Sequence, residues 1–560
     1  MLLVAIMQTG KAQVAGTPYI GHSHSGDTVT MGTDFWLVFT RNSDGATAST
    51  LSTLSSSTAG NNITIDFFLN IATELPNTVT ISFTADSVDG APRSFVYNLA
   101  AGELRRIRLD SMRSDGSAPA SRIDMRNKAY VPNYTTTVGG TAVNSNSVHI
   151  TSTQPVSVQA LNAQPVSTDA TMIYPVGAWG TEYYPISYYN LSQVGGVEHV
   201  LIANSNNTQI YVNGGKTPIV TLNAGQVYDQ TVNRSPNTTN DIGNNDITGI
   251  RVTSTKPVAY FASATIFTIS GIGTGDLLDE QMVPVREWDK QYFVPNCPQY
   301  SVNSQASGAV LNNRIRIVAS QDGTVVNYAG ATSVNRAGAS ANSTSATNYN
   351  NYNQIATGGV LNAGQFVELV IDSVNGGAYI TADKPIGVAS YLSGGVTAGA
   401  GELSNYNNQQ AGDPDNAVIP GVSQLTTAPL IVAPFMFPLA PTGTTSNLSF
   451  TRFASPPTTA GLDAVYHAMV IVTATADKGS AVMTKGTTNP ANNLLNGITW
   501  IDDTNGSGMS FCVYRFNNVN DIGSSFIISA GGRGAFALGY GLANAESYMY
   551  NAGSDLFKQR

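Results

Sequence analysis

The stretch Val148 to Asn162, VHITSTQPVSVQALN, decides how this chain folds. Apolar and polar residues alternate through it, and β-branched residues are frequent, which is a strand pattern. The phrase returns as GIRVTSTKPVAYFAS at 249–263 and as ITADKPIGVASY at 380–391. Each copy runs through Thr- or Ser-containing residues to Gln-Pro or Lys-Pro and ends in an apolar strand: VSVQAL, VAYFA or IGVASY. Proline presets φ and lacks a ladder donor, so it suits a turn or the first residue of a strand. Pro155, Pro257 and Pro385 are therefore expected to mark turns between two strands.

Upstream of each copy stands Leu-x-Ala-Gly-[Glu/Gln]: LAAGE at 99–103, LNAGQ at 222–226 and LNAGQ at 361–365. Glycine there supplies the positive φ of a tight turn between strands. A third phrase opens each unit, PVGAWGTEYY at 175–184 and PVREWDKQYF at 284–293, with GTDFWLVF at 32–39 as a shorter relative. Trp36, Trp179 and Trp288 are expected to play one role, as core aromatics at unit edges. Further strand signals lie at 63–69, 199–203, 208–212, 314–319 and 366–371. No segment sustains the i, i+3, i+4, i+7 pattern of a long helix. The repeat is roughly 110–135 residues, far longer than a propeller blade or solenoid unit. It is the size of an antiparallel sandwich.

The expected fold is thus all-β, with four degenerate, tandem, sandwich-like antiparallel modules. Their expected bounds are 32–170, 171–280, 281–415 and 416–556, after a signal-peptide remnant at 1–13 and an extended leader at 14–31. Two arrangements suit the motifs: beads on a string, or a propeller-like ring, because both ends carry related motifs. The segments 337–353 and 396–415 read as polar loops.

Composition narrows the function. The chain has 560 residues, of which 11% are charged. An average soluble domain carries about 25%. Hydrophobics reach 42%, too many for a disordered chain. A net charge of −9 argues against nucleic acid and against docking on anionic lipid. No apolar run reaches the ~20 residues of a membrane-spanning helix. Cys297 and Cys512 are the two cysteines, either one long-range bridge or two buried thiols.

Together these phrases resemble the IgGFc-binding protein N-terminal domain family, from about Gly32 to Leu556. Besides those quoted, DLLDEQMVPVREWDKQYFVP at 276–295, IRIVASQDGTVV at 315–326, GDPDNAVIPGV at 412–422 and GYGLANAESYMYNAG at 539–553 carry the resemblance. Val283 and Asp289 depart from it, standing where the family usually has Pro and Gly. The resemblance implies a secreted or surface-attached protein of bacterial type. Fc binding does not follow, since no Fc-contact residue can be matched and fold kinship does not fix function.

Catalytic motifs are missing. There is no Gly-x-Ser-x-Gly elbow and no His-Glu-x-x-His. Gly215-Lys216-Thr217 lacks the upstream glycine of a phosphate loop and reads as a hairpin turn. His22 and His24 beside Asp27 are too few ligands for zinc. Asp276, Asp279 and Glu280 form the densest acidic cluster; hydrogen bonds capping a turn between units explain them better than a glycosidase pair. Asp502, Asp503 and Asn505 are candidate calcium ligands, as are Asp413 and Asp415, though neither set has EF-hand spacing. No other cofactor is expected. Asp413-Pro414 continues with Asp415, so no self-cleavage is expected.

The expectation is a non-catalytic, extracellular adhesion or glycoprotein-binding protein with a glycan, glycoprotein or protein ligand. Tyr349, Tyr352 and Tyr406 are the candidate binding-loop residues, because tyrosine gives contact area at low entropy cost. The alternative is a self-associating subunit of a filament, sheath or surface layer, since low charge permits close packing and open sheet edges join neighbours. A polysaccharide-active enzyme ranks third.

Overall fold

Three long strands organise the molecule: Val148–Gln164, Val252–Phe267 and Gly377–Leu392. They are the three sequence phrases, and each is continuous through its proline. The expected turn at Pro155, Pro257 and Pro385 is therefore corrected to a bend within one strand. The physical reason lies in the pairing, which changes partners at the proline. In the first module, residues 148–152 pair with Asn77–Phe83, and 156–163 pair with Asp66–Thr73. The missing proline N–H falls between two ladders, where no partner is lost.

The computed structural model describes residues 30–555 apart from 41, 43–65, 84–91, 110–139, 165–166, 190–195, 234–245, 268, 270–274, 298–311, 335–350, 374, 394–395, 398–409, 412–413, 436–465, 487–489, 517–520, 522–523 and 544–545. The expected leader up to Val29 and the signal remnant fall outside these residues.

Each long strand is the centre of one curled sheet and changes neighbours along its length. Its first half lies between an opening strand (Met31–Leu37, Gly180–Tyr183 or Asp289–Pro295) and a hairpin strand (Asn77–Phe83, Thr208–Val212 or Thr324–Ala329). Its second half lies between a middle strand (Asp66–Thr73, Gly196–Ala203 or Arg314–Ala319) and a last strand (Ser167–Ile173, Asp276–Gln281 or Asp415–Val418). The fourth module keeps this plan with the long strand broken in two. Phe526–Ser529 pairs with Leu430–Val432 and Val482–Lys485. Ala535–Ala543 pairs with Tyr466–Ala474 and Glu546–Gly553. Glycines 532 and 534, both with positive φ, stand at the break, which is why no proline phrase marks this module.

The four last strands meet. Ser167–Ile173 packs on Asp276–Gln281, that on Asp415–Val418, that on Glu546–Gly553, and the fourth packs back on the first. The modules therefore close into a propeller-like ring around these axial strands. The closure is sealed where the Thr30 N–H donates to the Ser554 carbonyl at 3.2 Å. Every core is shared. Trp179, Ala259 and Phe261 of the second module complete the first core, and Val318 and Phe366 of the third complete the second. Phe511 and Phe536 of the fourth complete the third, and Leu161 and Ala170 of the first complete the fourth. A strand is exchanged as well: Gly140–Asn144, within the first module's expected bounds, pairs with Val227–Asn233 of the second.

The Ala-Gly turns are present, with φ of +72° at Gly102, +79° at Gly225 and +80° at Gly364. They also touch the preceding module. Ser525 Oγ donates to Gly102 O at 2.6 Å and Ser147 Oγ to Gly225 O at 2.7 Å. Gly364 lies against Gly249, where a Cβ on Gly249 would sit 1.8 Å from the Gly364 carbonyl oxygen. The opening phrase also repeats in three dimensions. Trp179 Nε1 donates to Tyr174 O and Trp288 Nε1 to Val283 O. The Tyr183 and Tyr292 hydroxyls donate to Val258 O and Ile386 O. Trp36 departs from the expected common role: it is half-buried and stacks on His149. Cys297 and Cys512 are unpaired buried thiols.

Gly249→Ala should lower the unfolding midpoint several times more than Gly214→Ala in differential scanning calorimetry. Gly214 has φ +71° but nothing within 4 Å of an added Cβ, so it isolates backbone strain of about 1–2 kcal/mol. Equal shifts would mean that the contact between modules two and three does not hold the ring.

Candidate functional site

Two polar sites lie inside the ring and one face lies outside it. The first inner site is on the axis. Asp169, Asp276, Asp279, Glu280 and Asp415 are all buried there. The sequence reading put the Asp276–Glu280 cluster at a turn. It lies within a strand instead, because that strand is buried on both faces at the axis. The carboxylates accept backbone N–H groups across modules: Asp279 N–H donates to Asp169 Oδ2 at 2.5 Å, Thr168 N–H to Asp276 Oδ1 at 2.7 Å and Val418 N–H to Glu280 Oε1 at 3.1 Å. The Thr171 hydroxyl donates to Glu280 Oε2 at 2.7 Å. Burial raises Asp279 to about 7, with Thr40 and Asn162 opposing the rise. Burial likewise raises Glu280 to about 8, opposed by Thr171 and the Val418 N–H. Among the described residues these carboxyls are buried and line neither of the two clefts beside them. The clefts beside them, lined by Tyr174 and Trp179 or by Trp288 and Val418, hold about 210 and 300 Å3 of space, and the larger has about 10 Å3 of room for water. The arrangement binds modules to each other.

The second inner site joins modules two and three. Arg316 is fully buried. Its Nη1 donates to Ser187 O, Asp246 Oδ2 and Thr248 Oγ1, and its Nε to Glu368 Oε2. Its guanidinium lies 3.8 Å from the Tyr188 ring centre and 4.7 Å from that of Phe366. Burial opposes its charge, but Asp246 and Glu368 overcome this and hold it protonated. Sequence reading missed this group. The alternation RIRIVA places Arg316 on the strand, and nothing local says that the preceding module supplies Ser187, Asp246 and Thr248 as partners.

The outer face belongs to the first module. The strand register aligns Ser94, Ser82, His149 and Trp36 in one cross-strand row, and Val96, Thr80, Thr151 and Asp34 in the next. Asn98 and Thr78 begin a third. The opposite face, with Phe35, Ile81 and Ile150, is core. Trp36 and His149 stack at 3.8 Å with their planes 10° apart. His149 Nε2 and Asp34 Oδ1 are 2.8 Å apart. Asp34 is 46% exposed and Val96 62%. The result is a flat, hydroxyl-rich sheet face with one aromatic stack, one carboxylate and one aliphatic side chain.

The residues expected to bind are placed as follows. Tyr352 is half-buried, with its ring edge-on to Phe366 and its hydroxyl donating to Val334 O. Tyr349, Tyr406, His22, His24 and Asp413 lie outside the described residues. Asp502 receives Lys478 at 2.5 Å and Ser510 at 2.6 Å. Asp503 receives the Ser507 N–H and the Asn505 amide, and Asn505 also donates to Gly377 O. Among the described residues no group of three or more His, Cys, Asp or Glu is arranged to hold a metal ion. Asn213 and Gly214, with φ of +50° and +71°, form the hairpin turn expected before Lys216. Among the described residues no helix is long and apolar enough to cross a membrane.

A family model described as "IgGFc binding protein" matches residues 27–242 and, overlapping them, 169–539. No curated protein and no solved structure matches the chain.

Arg316→Leu leaves Asp246 buried without its cation and Glu368 with Arg314 alone, and breaking a buried pair in this way costs about 3–5 kcal/mol. The urea midpoint should fall accordingly, while Arg251→Leu, which breaks a surface pair with Glu182, should change it by under about 1 kcal/mol. Equal effects would show that the buried pair does not hold the second and third modules together.

Proposed function

The chain belongs to the IgGFc-binding protein family, and on that premise we propose that it is a non-catalytic binding protein of the cell exterior. It acts as an adhesin or glycoprotein receptor of the kind that bacteria display or secrete. The observation that carries this reading is the outward face of the first module. A pyranose ring has an apolar C–H face and a rim of hydroxyls. Trp36, backed by His149, and Val96 offer apolar contact, and amphipathic aromatic rings suit such half-wet surfaces. Asp34 accepts hydroxyl protons, and Ser82, Ser94, Thr80, Thr151 and Asn98 can donate or accept. The platform costs little to order on binding, since strands of a closed ring already fix it. The ligand class is therefore a neutral glycan, free or on a glycoprotein.

A second reading rests on a sheet edge. Among the described residues, Arg93–Leu99 pairs only with Asn77–Phe83. Past Arg93 it carries no charged residue to block edge-to-edge pairing. Such an edge supports a self-assembling subunit of a filament, sheath or surface layer.

The recombinant chain should bind members of a glycan and glycoprotein array that includes IgG Fc. Trp36→Ala should weaken a glycan signal at least about tenfold in a chain that still unfolds cooperatively. Binding that persists in Trp36→Ala moves the site off this face, and an array without signal ends the receptor reading. Light scattering checks the second reading: concentration-dependent assembly that Val96→Lys abolishes supports it, and a monomer at all concentrations rejects it.

A further inference from the structure

The ring closes on the buried carboxyl groups of Asp169, Asp279, Glu280 and Asp415, and we infer that the axis is a proton-set clasp: the ring is held tightest when the Asp169 and Asp415 carboxyls share a proton, and it loosens when that proton leaves. This goes beyond ligand recognition and does not depend on it.

The geometry comes from three modules. Asp169 lies on Ser167–Ile173, Asp276, Asp279 and Glu280 on Asp276–Gln281, and Asp415 on Asp415–Val418. Asp169 and Asp415 face each other at the axis, and two buried carboxyls so placed do not both ionise but share a proton. Asp169 spends its oxygens on the N–H groups of Ala170 and Asp279, and Asp415 Oδ1 takes the N–H of Asn416. Asp415 Oδ2 has no other hydrogen-bond partner among the described residues, so it is free for the shared proton. The fourth axial strand brings Tyr548 and Tyr550, both buried. Tyr174, at the end of the first, faces Glu280. Beyond Tyr548 lie Arg106 and His467; Arg106 acts on these two. Among the described residues no arginine or lysine acts on Asp169, Asp279, Glu280 or Asp415. Burial, followed by repulsion within the cluster, lifts Asp169 well above the usual carboxylate range. Burial lifts Asp415 as well, with Asp276 and Glu280 adding to the rise.

A carboxyl raised in the folded state binds its proton more tightly than in the unfolded chain, where it titrates near about 4. Its contribution is present in full below that pH and is lost as pH rises through the folded value. Asp279 near 7 and Glu280 near 8 set the window. Stability should fall between about pH 4 and pH 8, opposite to a protein held by carboxylate ion pairs.

Two measurements test this. Urea unfolding of the native chain in unbuffered solution at pH 6, followed by pH-stat, should release on the order of two protons per chain. Thermal unfolding across pH 4–9 should show a midpoint that declines towards pH 8. Asp415→Asn keeps an acceptor for the Asn416 N–H and gives Asp169 a neutral partner. It should raise the midpoint at pH 8 relative to the native chain and flatten the decline. Glu280→Gln, which can still meet Thr171 and Val418, should flatten it in part. Asp372→Asn, at an exposed site, should leave it unchanged. Proton uptake, or no proton release, on unfolding at pH 6 would overturn the proposal whether or not the variants fold. So would an Asp415→Asn profile parallel to that of the native chain.

Discussion

Each module leaves one face of its curled sheet open, and only the neighbouring module closes it. Phe261 and Ala259 point into the first core while Tyr260 and Ala262, on the same strand, point into the second. A strand buried on both faces cannot be stable in an isolated module, because half of its apolar surface would meet water. The ring is therefore a requirement of the cores. The fourth module takes Leu161 and Ala170 of the first, so the two ends of the ring have to come together, as they do at Thr30 and Ser554.

Closing four sheets on one axis brings polar groups into a dry place. Backbone N–H groups of the axial strands find partners in Asp169, Asp276 and Glu280 rather than in another strand. Asp169, Asp279, Glu280 and Asp415 stay neutral or share a proton there, since burial lifts each of them and no arginine or lysine among the described residues opposes it. Between modules two and three the solution is the reverse: Arg316 is charged and meets two carboxylates and an aromatic ring. Both devices tie modules together and leave the outward sheet faces free. The outward face of the first module carries a half-buried aromatic stack and hydroxyl groups in rows, which is why recognition is assigned to it.

Much of the fold is legible in the chain. The segments 208–212, 314–319 and 366–371 are strands with the bounds that their alternation gives. The Ala-Gly turns follow from the need for positive φ, and the shared Trp and Tyr bonds follow from the repeated opening phrase. The proline was misleading because its local chemistry fits a turn and a strand bend equally well. What separates them is whether the flanking segments pair with the same partners or different ones, and that is a long-range fact. The candidate site was less legible. Trp36 and His149 are far apart in the chain, and the phrases that hold them signal strands rather than a binding site. Register alone sets them side by side. The acidic phrase at 276–280 was visible as a cluster, but its burial depends on strands from three other modules.

The sequence by itself determined the strands, the repeat and the kind of turn at each Ala-Gly, because these follow from the φ preferences and apolar spacing of neighbouring residues. It also determined the low charge that lets sheets pack face to face. The tertiary structure alone decided that the modules close into a ring, that the axial carboxyls hold protons and that Arg316 is paired. Each of those depends on residues that approach only after the chain has returned on itself, and burial, which sets the charge state, does not exist before that closure.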